Sequence, residues 1–340
     1  MLNEEQNLSH HIFSKNIPEE ATRDGYGKGL IEVGRNDAVV VLAGDVGEST
    51  RCHWFGSIYP ERYIECGVAE QHMAACAAGL GISGKIPFIN SYATFSPGRN
   101  WEQIRTTIAY NDSNVKIAGH HAGVSTGPDG ATHQALEDIA LMRSLPNMRV
   151  VYPGDALEAH KAVVAATQLR GPIYIRLHRA KTPVFTTPRT PFVVGRANVL
   201  WVSGKGPAFA KATAGKKPDV AIIATGPMSY EALVAAHDLE KQKIATAVIH
   251  MHTIRPLDEK TILEWAKKAG SVVTAEEHSV RGGLGSAVAE LLSGNYPVPM
   301  EFVGVGDQFG QSGTADELAK AYNLTAKDIV DASKRVVKRK

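Results

Sequence analysis

Short β-rich runs alternate with helical stretches from residue 37 to 179 and again from 219 onward, and this alternation restricts the possible folds more than any other feature. DAVVVLAGD (37–45), RYIECG (62–67), KIPFINSY (85–92), NVKIAGHH (114–121), MRVVYPGD (148–155) and GPIYIRLHR (171–179) read as six strands, most of them apolar enough to be buried. Between them lie helical patterns at 69–78, 100–110 and 155–169, the last capped by Asp155. Such an order implies a mostly parallel sheet with helices on both faces. KTPVFTTPRTPFVVG, with three prolines and no helical period, interrupts it and is expected to link two domains. The alternation then resumes with DVAIIATG (219–226), a helix from Ser229, IATAVIH (244–250), a helix around Leu263, SVVTAEEH (271–278) and a helix after GGLGSA. The expected fold is therefore α/β, with two domains, each a mostly parallel sheet flanked by helices. The expected divisions are an extension at 1–20 with a frayed terminus, a first domain at 21–180, a linker at 181–196 and a second domain at 197–340. Residues 204–217, GKGPAFAKATAGKK, read as an exposed loop.

A chain of 340 residues is long enough for two domains with a substantial core. Its formal charge of +2 and 21% charged residues call for neither nucleic acid nor a membrane surface, and the basic tail KRVVKRK reads as a solvated helix end. Cys52, Cys66 and Cys76 lack the number and spacing of a disulfide framework or a zinc site, which suits a reducing cytoplasm. No stretch resembles an export signal or a membrane span.

Open parallel sheets bind ligands beyond the carboxyl ends of their strands. Here those ends carry AGDVGEST, NSYATFSPGRNW, AGHHAGVSTGPDGATHQ and IRLHRAK, so one site could collect Asp45, Ser49, Phe95, His121, Asp129, His133 and Arg179. In CGVAEQHMAACAAGLG (66–81) a single acid, Glu70, heads a run of small apolar residues, an expensive place for a carboxylate unless it is paired or used. On spacing alone it could equally stabilise its helix N-terminus. Phe95 could be core, Asp45 a turn or N-cap acid, and the pair His120 and His121 a solvated strand end.

GDVGES, GVAEQHM, YATF, DGATHQALEDIALMRSLPN, IRLHR and GDQFGQSGTADELAKAYNL together resemble the C-terminal two-thirds of a transketolase, from about Ala21 to Val330. The resemblance implies two-carbon ketol (glycolaldehyde) transfer between phosphorylated sugars on thiamin diphosphate, in the pentose phosphate pathway. It assigns Glu70 to the cofactor's aminopyrimidine, where an acid whose pKa is raised by desolvation would protonate N1′. It makes Phe95 the stacking platform, with Trp101 and Asp45 also beside the cofactor. Arg23, Ser49, His121 and Arg179 match substrate phosphate positions, while Asp129 and His133 match residues near the donor hydroxyls, His133 also being a catalytic candidate.

One departure is informative. The family holds the diphosphate and its Mg²⁺ (or Ca²⁺) through a Gly-Asp-Gly motif followed by an asparagine in an N-terminal domain. Here Gly-Asp occurs at 44, 154 and 306 and is never followed by Gly. The resemblance thus implies one subunit of a split transketolase that binds no metal itself and shares thiamin diphosphate with an N-terminal subunit, in a heterotetramer with two copies of each chain. Alternatives are a 2-oxo acid dehydrogenase β-type subunit, a deoxyxylulose phosphate synthase-like enzyme and a non-catalytic partner-binding module. GGLGSA (282–287) imitates a dinucleotide fingerprint but has Val288 at its third glycine position, so these glycines read as close-packing devices.

Overall fold

In a computed structural model of the chain, the described residues are 1–203 and 217–340, so the loop expected at 204–217 lies outside them apart from Lys217. The first half runs β1 (Glu19–Ala21), α1 (Thr22–Val33), β2 (Val39–Ala43), the short α2 (Gly47–Thr50) and α3 (His53–Ile58), β3 (Tyr63–Glu65), α4 (Glu70–Ile82) and β4 (Ile86–Tyr92). It continues with α5 (Trp101–Gln103), which passes into a π-helical segment at Ile104–Ala109, then β5 (Lys116–His120), α6 (Asp138–Arg143), β6 (Arg149–Val151), α7 (Ala156–Gln168), β7 (Ile173–Arg176) and β8 (Lys181–Pro183). The second half is β9 (Asn198–Val202), β10 (Val220–Ala224), α8 (Met228–Lys241), β11 (Thr246–His250), β12 (Thr253–Arg255), α9 (Glu259–Ala269), β13 (Val272–Ser279), α10 (Leu284–Asn295), β14 (Met300–Val305), α11 (Ala315–Ala321) and α12 (Ala326–Val337).

The first sheet has the order β12-β6-β7-β5-β4-β2-β3 and is parallel except at β12. Its central strands are buried along their length because both faces are covered, and they are mostly apolar. Val39, Val41 and Ala43 pack with Tyr26, Leu30 and Val163 on one side, while Val40 and Leu42 pack with Met73, Ala77 and Ile104 on the other. The second sheet, β14-β13-β10-β11-β9, is parallel except at β9. Asp155 caps α7 by accepting from Glu158 N at 3.0 Å, as its position after a glycine predicts.

Three long-range pairings were not legible in the sequence. The stretch 181–196 is not a bare linker: it opens with β8, which pairs antiparallel with β1 from Glu19↔Pro183 to Ala21↔Lys181. Pro183 ends that two-stranded ladder, where a missing N–H costs least. β12, from the second half, adds an antiparallel edge to the first sheet through Thr253↔Val151. The N-terminus is not frayed, because Asn3 N donates to Leu200 O at 2.8 Å, Ser9 N donates to Phe185 O at 2.9 Å and Ile12 is fully buried. His10 and His11 are exposed on this docked segment. The basic tail ends α12 with exposed ion pairs from Arg335 and Arg339 to Glu301.

Candidate active site

Glu70 is the first residue of α4, just beyond the end of β3, and is only 1% exposed. Its carboxylate reaches sideways: Oε1 accepts from Ser91 Oγ at 3.1 Å and Oε2 accepts from Arg99 Nη1 at 2.6 Å. Asn100 Nδ2 donates to its carbonyl at 3.1 Å, fixing the turn. Arg99 also lies 4.9 Å over the Phe95 ring, and its side chain is 46% exposed. A flat group bearing N–H donors therefore already lies over Phe95 while bonded to Glu70, the two positions that the resemblance assigns to an aminopyrimidine. The residues present fit that ring, provided the half-exposed arginine yields its place.

Phe95 belongs to an aromatic group at the end of β4. Tyr92 lies 6.1 Å from it in a stacked orientation, and His133 meets Phe95 edge-on at 5.4 Å and Tyr92 at 6.0 Å. Tyr92 in turn touches His121 at 4.1 Å between ring centroids. His133 Nδ1 is 2.9 Å from Thr132 Oγ1.

Beyond these rings is a cationic corner. Arg23, in the first turn of α1, donates through Nη1 to Ser49 O at 2.9 Å and contacts His121 Nε2 at 3.2 Å. Burial, followed by the charges of Arg23, Arg179 and Arg51, pushes the His121 imidazole down to about 3, so it is neutral near pH 7. Arginine can only donate, so Nε2 accepts and the proton sits on Nδ1, a buried donor without a partner among the described residues. Arg23 Nε is buried and unpartnered in the same way. Arg179 follows β7; its Nη1 donates to Asp129 Oδ1 at 3.0 Å and to Thr126 O at 3.0 Å. Thr126 Oγ1 closes the loop by donating to His121 O.

The structure thus brings Glu70, Phe95 and His133 into one contact chain and links Arg23, Ser49, His121, Asp129 and Arg179 in another, the two meeting at Tyr92. Ser49 joins through its carbonyl. Asp45 is exposed after β2, with φ 60° and its N–H donating to Glu65 Oε1 at 2.7 Å; Val46, not Asp45, occupies the N-cap of α2. Trp101 stands apart: its indole donates to Leu141 O at 3.2 Å and its ring packs on the core, without a ring contact to Phe95 or Tyr92. Arg99 went unnoticed in the sequence, although its i,i+4 spacing from Phe95 on a turn was a usable signal. GGLGSA is occupied from within, since the N–H groups of Leu284 and Gly285 both donate to Glu276 at 2.7 Å. A Cβ on Gly283 would come within 2.0 Å of that carboxylate, which explains the glycine as a packing device. Among the described residues no group of three His, Cys, Asp or Glu side chains could hold a metal ion, and no helix is long and apolar enough to cross a membrane.

A parallel sheet with this site, joined to a second α/β unit, corresponds to two known domains. Residues 19–184 match the transketolase pyrimidine-binding domain and residues 211–329 the transketolase C-terminal domain. The chain belongs to the transketolase family, whose members use thiamin diphosphate. It is 39% identical to the 6-deoxy-6-sulfo-D-fructose transketolase subunit of Clostridium sp. (strain MSTE9), covering 96% of this chain and 98% of that one. Against rat (Rattus norvegicus) transketolase it is 36% identical, covering 93% of this chain but 49% of the rat protein. A solved split-gene transketolase, described as an inactive beta4 tetramer, superposes with a TM-score of 0.83 at 45% identity, over 94% of this chain and 98% of that one.

Proposed function

We propose that this chain is the C-terminal subunit of a two-chain transketolase that transfers a two-carbon ketol unit between phosphorylated sugars. The observation that carries the reading is the continuous path from Glu70 and Phe95 through Tyr92 to the arginine corner, because it joins a ring-binding half-site to an anion-binding one. Thiamin diphosphate, when bound, supplies the electron sink for a carbanion. Phe95 orients its aminopyrimidine, and Glu70, released from Arg99, holds a proton on Oε2 toward N1′. His133 and Asp129 face the donor hydroxyls. Arg23, Arg179 and neutral His121 Nδ1–H receive the phosphate, which gives partners to Arg23 Nε and His121 Nδ1, two donors buried without one among the described residues.

In this reading the companion N-terminal subunit carries the Gly-Asp-Gly motif and binds the diphosphate and Mg²⁺. A Clostridium relative named as a transketolase subunit and a solved split-gene transketolase, each matched over 98% of its own length, support a separate companion, and two copies of each chain form the active assembly. Three free cysteines suit a cytoplasmic setting. The Clostridium relative is named for a sulfonated sugar, so the donor's anionic group is the variable to test. Arg179→Ala raises KM for a phosphorylated donor by a factor corresponding to about 1.5 to 3 kcal/mol of lost charge-assisted contact, and changes KM for the unphosphorylated analogue far less. Steady-state kinetics of the reconstituted enzyme with paired donors measure this; equal losses for both would remove Arg179 from the phosphate site.

A further inference from the structure

β13 carries near its end two adjacent acids, Glu276 and Glu277, that are both withdrawn from solvent, an arrangement with a high desolvation cost unless each has a dedicated partner. Glu276 has one in its own domain, the N-terminus of α10. Glu277 projects from the other side of the strand and crosses to the first domain. Its Oε1 accepts from Ser125 N at 2.7 Å, and its Oε2 lies 3.3 Å from His178 Nδ1. Ser125 Oγ is 2.7 Å from the same nitrogen, so carboxylate, hydroxyl and imidazole form a closed triangle.

His178 is fixed from two further directions. Its backbone N–H donates to Thr22 Oγ1 at 2.7 Å, and its Nε2 is hydrogen-bonded to the Tyr152 hydroxyl. Burial, then the charge of Arg176, holds this imidazole neutral. Burial pushes the Glu277 carboxyl up to about 7, and above that pH its carboxylate can only accept, which places the single ring proton on Nδ1, facing Ser125 and Glu277, with Nε2 accepting from the tyrosine. The fit is tight: Gly123 has φ +84°, and a Cβ there would lie 2.3 Å from Glu277 Oε1, so loop backbone itself walls the carboxylate.

Both partners of Glu277 are chain neighbours of the anion corner. Ser125 lies in the loop between His121 and Asp129, next to Thr126, whose carbonyl accepts from Arg179 and whose hydroxyl bonds His121 O. His178 directly precedes Arg179, and Thr22 directly precedes Arg23. A single acid on the C-terminal domain is therefore one residue removed from Arg179, through His178, and two removed from His121, through Ser125 and Thr126, and from Arg23, through His178 and Thr22. It touches none of Arg179, His121 and Arg23.

We infer that Glu277 is a positioning residue through which the C-terminal domain sets the placement of Arg179 and the His121–Asp129 loop, and so the enzyme's affinity for the anionic end of its donor. The inference rests on the proposed function and gives the second domain a part in substrate selection. An amide at this position keeps the size of the side chain, yet if its oxygen continues to accept from Ser125 its NH₂ must oppose the Nδ1–H of His178, which pushes the two segments apart.

The test is steady-state kinetics of the reconstituted two-chain enzyme with Glu277→Gln, Glu277→Asp and Arg179→Ala, each against a phosphorylated donor and its unphosphorylated analogue. Displacement of a binding group by a fraction of an ångström to an ångström costs on the order of tenfold or more. Glu277→Gln is expected to raise KM for the phosphorylated donor about tenfold more than KM for the analogue, with the loss in KM rather than kcat. Glu277→Asp, which keeps the carboxylate, recovers most of that difference. If Arg179→Ala discriminates between the donors while Glu277→Gln lowers only the melting temperature, the carboxylate is merely structural and this inference is overturned. If Arg179→Ala fails to discriminate, the phosphate site itself is misassigned, and the inference falls with it.

Discussion

Glu70→Gln in the assembled enzyme lowers the rate of hydrogen–deuterium exchange at C2 of bound thiamin diphosphate by about 10² to 10⁴, the usual worth of a positioned acid. The amide has the shape of the acid and keeps an oxygen for Ser91, so the head of α4 stays packed and the chains still assemble. It cannot carry a proton to N1′. If Glu70 served only the dipole of its helix, the cost would be about 0.3 to 1 kcal/mol of stability, with exchange intact. The carboxylate's bonds argue otherwise, since they run to Ser91 and Arg99 on another segment. A thermal melt beside the exchange measurement separates the two outcomes: normal exchange with a lowered melting temperature makes the acid structural.

The largest expected effect on stability lies beneath the site. Arg176 and Asp138 are both buried, with Arg176 Nε to Asp138 Oδ2 at 2.8 Å and Nη2 to Oδ1 at 3.2 Å. Tyr174 donates to the same Oδ2 at 2.6 Å, Arg176 Nη2 also reaches Ala135 O at 3.1 Å, and the guanidinium lies 4.5 Å over Tyr152. Burial alone would raise the Asp138 carboxyl, but Arg176 and then His278 outweigh it and hold it below the ordinary carboxylate range. Asp138→Ala leaves an arginine charge uncompensated in the core and costs about 3 to 5 kcal/mol, read as a lower denaturant midpoint. Replacing both partners, Asp138→Leu with Arg176→Met, costs much less, because the penalty belongs to the orphaned charge and not to the absent pair. A single substitution costing under about 1 kcal/mol would mean that water reaches the site.

The two sheets were legible because their signals are local. β4 at Ile86–Tyr92 and β10 at Val220–Ala224 are apolar runs bounded by polar turns, and α7 begins at its predicted cap. The strand-end rule also anticipated where most of the candidate residues lie: His121 follows β5, Phe95 follows β4 and Arg179 follows β7. What escaped was long-range. β12 is three residues whose strand character comes from β6, about a hundred positions earlier. β1 and β8 have no periodicity of their own and exist because each pairs with the other. Trp101 is placed beside the cofactor by resemblance alone, and nothing in its sequence position signalled the bond from its indole to Leu141 O. Glu277 looked like one of two acids in a strand, and only the approach of Ser125 and His178 gives it a partner.

Whether this chain is half of an active site decides the proposed function most directly. In the proposed reading its residues meet the aminopyrimidine and the substrate phosphate, while no Gly-Asp-Gly sequence is present in it to hold the diphosphate. The decisive measurement is ketol transfer with thiamin diphosphate, Mg²⁺ and phosphorylated sugars, by the purified chain alone and after mixing with a companion that carries the Gly-Asp-Gly motif and its asparagine. The account predicts no turnover by the chain alone and turnover on mixing, in a complex holding two copies of each. Ketol transfer by the purified chain with no second polypeptide present would contradict it.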